Sequence, residues 1–259
     1  MSITDYATGR QLRANLARTV SDEAHNMAKQ YKYLFACEVF TGKELKDVKS
    51  DAKYDTEIQV LNKDTFDVLA DLLTEGLFPV GLNMASDYKP GGGWWNGSIA
   101  QEESLFYRST YCVSLNRKHY PLEKGKLLYS PSVYVYRDSQ KFEEMDEKDT
   151  FEVAMIASPA LRNPVLNQAG DMKGEDKRTM KYQMKNVLLT ALLKNHDSIV
   201  LGAWGCGAFH CPTKTIANLF KEVLEEERLK GKFKKIVFAI LDHTPEKKYL
   251  TPFFETFKQ

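Results

Sequence analysis

Apolar residues recur along the chain at two different periods, and the alternation between those periods sets the fold class. Residues 8–30 carry Leu12, Leu16 and Val20 at four-residue spacing among polar neighbours, the pattern of an amphipathic helix. A short strand is expected near 33–39, then a charged loop, then a strand over 57–61. Asp64 stands where it can cap a helix over 65–73 that Gly76 ends. Residues 78–84 form an apolar run short enough for a buried strand. Ser98 with Gln101 three positions on fits a capping box, which predicts a helix from there to about Leu115. Strands are expected over 133–137 and 152–157. Residues 180–194 place Met180, Met184, Val187, Leu188, Ala191 and Leu192 on one helical stripe. A strand over 199–202, a helix over 213–229 with Ile216, Leu219, Phe220, Val223 and Leu224 inward, and a strand over 235–241 complete the pattern, with a short helix expected after Asp242.

Strands alternating with helices imply a sheet covered on both faces. The expectation is an α/β protein, a three-layer α/β/α sandwich with a mixed central sheet. Residues 1–76 would form an N-terminal helical extension with the first strand. No repeat, low-complexity tract or Pro/Gly/Ser linker divides residues 1–259, so one domain is expected. In open sheets of this kind ligands bind beyond the carboxyl ends of the strands.

Composition narrows the function classes. With 36 basic and 35 acidic residues the net charge is +1, which excludes the broad basic field of a duplex nucleic-acid binder. There is no run of 18 apolar residues to span a membrane, and Met1-Ser2-Ile3-Thr4-Asp5 lacks the apolar centre of a signal peptide. A cytoplasmic or nuclear location is therefore expected, and separately a monomer. Cys37, Cys112, Cys206 and Cys211 form no CxxC pair, and His210 between the last two is too little for zinc. They read as reduced thiols, with no metal or cofactor needed.

Two glycine-rich loops each follow a predicted strand. The first is Lys89-Pro90-Gly91-Gly92-Gly93-Trp94-Trp95-Asn96-Gly97, the second Gly202-Ala203-Trp204-Gly205-Cys206-Gly207-Ala208-Phe209. Bare backbone lets a ligand approach closely and exposes N–H groups to an anion. One such loop reads equally well as a turn, but two after two strands favour a shared ligand rim. Neither matches a P-loop or a dinucleotide fingerprint. Trp94 and Trp95 could stack on a base, although a core-and-lid role suits them better. The first loop leads to Gln101-Glu102-Glu103. Acidic residues are common in a first helical turn, where the dipole favours the anion. Neighbours on a helix diverge by about 100°. Glu102 and Glu103 are thus poorly disposed to flank a glycosidic bond as an acid and nucleophile pair. If the site cleaves a glycoside, one glutamate should move the proton and the other hold a sugar hydroxyl.

Asn83, the Pro90-Gly91-Gly92-Gly93 turn and Gln101-Glu102-Glu103 after the spacer 94–100 resemble the signature of the bacterial-type poly(ADP-ribose) glycohydrolases. Residues 54–69, 130–138 and 202–209 are similar to other parts of that family. The spacer starts with bulkier residues than usual, and Cys211 precedes Pro212 where asparagine is common. The resemblance implies a macrodomain-like fold that binds ADP-ribose. The implied activity is hydrolysis of the ribose–ribose bond of poly(ADP-ribose), releasing ADP-ribose from a chain end. The implied alternatives are removal of single ADP-ribose units from a side chain or nucleic acid, and ADP-ribose binding without turnover. It also implies site roles. Glu103 would be catalytic and Glu102 would bind a ribose hydroxyl. Asn83, Gly91, Gly92 and Gly93 would surround the terminal ribose. Gly205, Cys206 and Gly207 would hold the diphosphate, Phe209 would order the ribose beside the cleaved bond, and Gln101 and Ala208 would also bind substrate.

Overall fold

The computed structural model describes residues 3–258, with side chains from Thr8 onward. The chain runs through helix α1 (Ile3–Gln30), strand β1 (Glu38–Phe40), helix α2 (Gly42–Leu45), β2 (Glu57–Leu61), α3 (Thr65–Thr74) and β3 (Pro79–Met84). It continues through α4 (Gln101–Arg108), α5 (Tyr111–Ser114), β4 (Leu127–Val135), β5 (Phe151–Ser158), α6 (Gly174–Leu193) and β6 (Ser198–Leu201). Last come α7 (Thr213–Leu224), β7 (Lys235–Ala239) and α8 (Leu250–Phe257).

The strands form one mixed sheet in the order β1-β4-β5-β3-β6-β7-β2. From β5 to β2 the neighbours are parallel, while β1–β4 and β4–β5 are antiparallel. Alternation along the central strands is apolar on both faces, as a sheet between two helical layers requires. Val80 and Leu82 of β3, Ile199 and Leu201 of β6 and Ile236 and Phe238 of β7 face one layer, with Met180, Met184 and Leu188 of α6 and Ile216 and Phe220 of α7. Met155 of β5, Val200 and Val237 face the other, with Phe66 and Leu69 of α3, Leu105 and Phe106 of α4 and Tyr111 of α5. The expected macrodomain-like α/β/α architecture is what the chain adopts. Both edges of the sheet, β1 and β2, come from the first 76 residues.

Three local expectations fail for identifiable reasons. Residues 32–35 make a 3-10 turn, and the strand that follows is only Glu38–Phe40. Ser98 does not cap α4: Ala100 is the N-cap, with no side-chain hydrogen bond, because Gln101 is used elsewhere. The helix does not reach Leu115 either. Ser109 turns extended and bridges Val135, and Thr110 exchanges hydrogen bonds with Tyr134 through its N–H (3.0 Å) and hydroxyl (3.0 Å). Pairing with β4 thus outcompetes helix continuation there. Asp64 does cap α3, accepting from the Phe66 N–H at 2.8 Å. Among the described residues no helix is long and apolar enough to cross a membrane.

Candidate active site

β3 ends at Met84, and the glycine loop leaves from its carboxyl end. Gln101 locks the start of α4 to that strand. Its Nε2 donates to the Leu82 carbonyl (2.8 Å) and the Thr65 hydroxyl (3.1 Å), and its Oε1 accepts from the Met84 N–H (3.0 Å). A side chain with all these partners is a strut, and it aims the first turn of α4 into the loop.

Glu102 is buried and nearly saturated. Its Oε1 accepts from the Gly91 N–H (3.1 Å) and Asn83 Nδ2 (3.3 Å), and its Oε2 from the Ser86 N–H (2.7 Å). A carboxylate has about four acceptor positions, so one remains for a ligand. Burial pushes its pKa up to about 8, with the adjacent Glu103 charge adding to the rise and the donors opposing it. Asn83 is fully buried, and its Oδ1 meets no partner. A half-turn of that amide would present oxygen to Glu102, so the same residue can serve a carboxylate or a carboxylic acid.

Glu103 differs. Its Oε1 accepts from the Gly93 N–H at 2.8 Å, and its Oε2 has no hydrogen-bond partner among the described residues. Gly92, with φ of 52°, lies against both carboxylates: a Cβ there would stand 2.7 Å from Glu103 Oε1 and 3.1 Å from Glu102 Oε2. The two side chains start in different directions, yet the loop wraps around both ends.

The second loop approaches from β6. Trp204 anchors it, buried, with its indole N–H on the Ser158 carbonyl at 3.1 Å. Gly205, with φ of 79°, has no room for a side chain between Ala160 and Cys211. The N–H groups of Gly205, Gly207, Ala208 and Phe209 donate to no acceptor among the described residues. Successive free N–H groups in a turn make an anion-binding concavity.

The two loops line one cavity of about 360 Å³, walled by Gly92, Gly93, Gln101, Glu102 and Glu103 on one side and Gly205, Gly207, Ala208 and Phe209 on the other. A second cavity of about 570 Å³ adjoins it, sharing Met84, Ala100, Gln101, Ala203 and Gly207. Its remaining walls come from residues 63–65, from Ile99 and Ser104 flanking the start of α4, from the segment around Ser139 and Phe142, and from residues 239–241 with His243 and Tyr249.

Residues 6–138, half of the chain, match the family described as microbial-type PARG (poly(ADP-ribose) glycohydrolase), catalytic domain. The chain belongs to this family. Poly(ADP-ribose) glycohydrolase from Thermomonospora curvata, solved with the inhibitor ADP-HPD, is 25% identical. It aligns over 93% of this chain and 99% of its own with a TM-score of 0.78. The Deinococcus radiodurans enzyme in complex with ADP-ribose is 26% identical, covering 86% of this chain and 94% of its own with a TM-score of 0.75. No curated protein matches the chain.

Within this family member, three of the residues singled out by sequence lie outside the cavity wall. Asn83 and Gly91 stand behind Glu102 and reach the cavity through it. The Cys206 thiol is buried near the Trp204 carbonyl, so that residue offers only backbone to the loop. Cys206 and Cys211 are both free thiols with pKa values raised by burial. Sequence reasoning missed Ser86, whose N–H makes the shortest contact to Glu102, and Arg162, which enters the wall from the segment after β5. A backbone donor has no sequence signature, and Arg162 lies in no motif. Trp94 is core, edge-on to Phe106, while Trp95 is 43% exposed beneath Arg18 and away from the cavity wall.

Proposed function

We propose that this protein hydrolyses the ribose–ribose bond of poly(ADP-ribose) from the chain end, releasing ADP-ribose, with Glu103 as the single acid/base. The observation that carries this reading is the contrast between two adjacent carboxyl groups on one cavity wall: Glu102 held by three donors, Glu103 with a free oxygen. Family membership and relatives solved with ADP-ribose or an inhibitor support the ligand.

ADP-ribose is linear, and the cleft has a place for each part. The larger cavity takes the adenosine, the free N–H groups of Gly205, Gly207, Ala208 and Phe209 take the diphosphate, and the glutamates take the terminal ribose. Protonated Glu103 donates to the glycosidic oxygen as the bond to the anomeric carbon breaks. Glu102 holds a ribose hydroxyl with its remaining acceptor position. The diphosphate offsets charge on the oxocarbenium-like carbon. Water then attacks that carbon, and Glu103 recovers the proton.

Glu103→Gln tests this directly. Its amide oxygen can still accept from Gly93, so the loop should hold and ADP-ribose should still bind by calorimetry. Release of ADP-ribose from poly(ADP-ribose) should fall by about 100-fold or more. Turnover near that of the unmodified enzyme would remove Glu103 from this role. Oligomers as the first products would contradict attack at the chain end, and cleavage confined to mono-modified protein would replace the polymer as substrate.

A further inference from the structure

Tyr88 is 72% exposed, the most exposed of the large apolar side chains described, yet with Lys89 and Arg162 it lines the cavity that holds both glutamates and none of the three lines the larger cavity. A lone exposed aromatic needs no explanation. This one sits on a braced rim. The Ser86 hydroxyl accepts from the Tyr88 N–H (3.2 Å) and the Lys89 N–H (3.5 Å), and the Ser86 N–H is one of the three donors to Glu102. Asp87 ties the rim on both sides. Its carboxylate takes Arg162 at 2.6 Å, and its carbonyl takes the Leu122 N–H at 2.8 Å. Arg162 lies 3.8 Å over the Phe209 ring, so its charge is committed to Asp87 and that ring. Lys89 pairs with no acid among the described residues, which leaves one free cation beside one free aromatic ring on a fixed turn.

We propose that Tyr88 and Lys89 form a subsite for the nucleotide on the leaving side of the scissile bond, with the base stacked on Tyr88 and a phosphate on Lys89. This rests on the proposed function. The order of the cleft supplies the direction. If adenosine fills the larger cavity and the terminal ribose faces Glu102 and Glu103, the next unit must leave past the opposite end. There the loop presents Tyr88 and Lys89, three to five residues before Gly92 and Gly93. In the polymer the leaving oxygen belongs to the ribose of another adenosine diphosphate. A base and two phosphates therefore lie within one nucleotide of the cut. Aromatic stacking accepts a base by its face, and an unpaired ammonium accepts a phosphate. An enzyme with this rim should distinguish a nucleotide leaving group from a bare side chain.

The test uses full-length protein carrying Glu103→Gln, so that polymer binds without being cut. Adding Tyr88→Ala should weaken binding of a poly(ADP-ribose) chain of defined length by about tenfold, the range of one lost stack. Affinity for ADP-ribose, which ends at the scissile position, should be unchanged. Tyr88→Trp should restore polymer affinity, and Lys89→Gln should flatten its dependence on salt. Unchanged polymer binding in Tyr88→Ala, or an equal loss for polymer and ADP-ribose, would overturn the subsite. If Glu103→Gln alone binds no ADP-ribose, the proposed function fails first and the subsite falls with it.

Discussion

A single methyl group added at Gly92 separates the chemistry of the site from the stability of the fold. Gly92 has φ of 52°, and a Cβ there would stand 2.7 Å from Glu103 Oε1, where ordinary contact begins at 3.4 Å. The carboxylate would have to retreat by about 0.7 Å, the difference between those two distances. It has little freedom to do so, because Oε1 is held by the Gly93 N–H at 2.8 Å. A left-handed alanine costs roughly 1–2 kcal/mol, which in a chain of this size lowers Tm by only a few degrees. Misplacing a reacting group by about 1 Å can cost on the order of 100-fold in rate. Gly92→Ala should therefore melt a few degrees early and release ADP-ribose from poly(ADP-ribose) tens of times more slowly. Gly76 supplies the control: its φ is 75°, and a Cβ would meet nothing within 4 Å. Gly76→Ala should show a similar thermal loss with full activity. A Gly92→Ala enzyme that keeps half its turnover, measured by chromatography of released ADP-ribose, would refute the reasoning. Equal activity losses in both variants would do the same.

Two more outcomes follow from buried charge. Arg108 is 2% exposed and is held by Asp64 and by Asp67 at 2.8 Å, while Asp64 also caps α3. Asp64→Ala should cost about 3 kcal/mol in urea unfolding, because it strands much of a buried cation and opens a helix end. Asp64→Asn keeps the cap and should cost less; an alanine loss under about 1 kcal/mol would count against the network. Glu102 gives a pH signature. Unfolded, its carboxyl releases a proton near 4.5; folded, it keeps the proton to about 8. Between those values the folded state binds more protons, so stability falls as pH rises. The ceiling on that fall is about 5 kcal/mol, at 1.36 kcal/mol for each tenfold. Glu102→Gln should lose this slope, and parallel pH curves for the two proteins would show that Glu102 is not the group responsible.

The layers of the fold were legible because the periods are clean. Strands β3, β6 and β7 are short apolar runs between turn residues, β2 alternates polar and apolar positions, and α6 and α7 carry unbroken stripes. The boundaries that failed are those where long-range pairing overrides a local signal. Ser98 and Gln101 form a good capping box on paper, but Gln101 gains two backbone partners on β3 and Thr65 by turning away from the helix end. Ser109 and Thr110 leave α4 to pair with β4, which lies about 25 residues later in the chain. At the site, the glycines and glutamates announce themselves by type and spacing. Ser86 holds Glu102 through its backbone, and the free N–H groups of Gly205, Gly207, Ala208 and Phe209 are backbone too, which any side chain can accompany, so no residue pattern marks them. His196 shows the reverse case. It has no visible partner in sequence, yet it is buried against Tyr129 (3.0 Å) and Phe78, with its pKa lowered by burial to about 4.

The divergence of adjacent helical side chains argues against two working glutamates on one turn, and the loop resolves the difficulty. Gly91 and Gly93 point their N–H groups at different carboxylates, so the backbone between them bends around Gly92 and gathers both acid groups at one spot. Only a residue without a side chain fits that bend, since both carboxylates occupy the space a Cβ would need. Under the proposed mechanism, partner number divides the labour: three donors fix Glu102 and would leave it one position for a hydroxyl, while a single donor steadies Glu103 and would leave an oxygen for proton transfer. The three glycines would then both gather the acid pair and separate its two proposed roles. For that reason a substitution at Gly92 should damage catalysis more than one at Gly91 or Gly93, whose crowding neighbours are Trp94 and Phe106 in one case and Ser98 in the other.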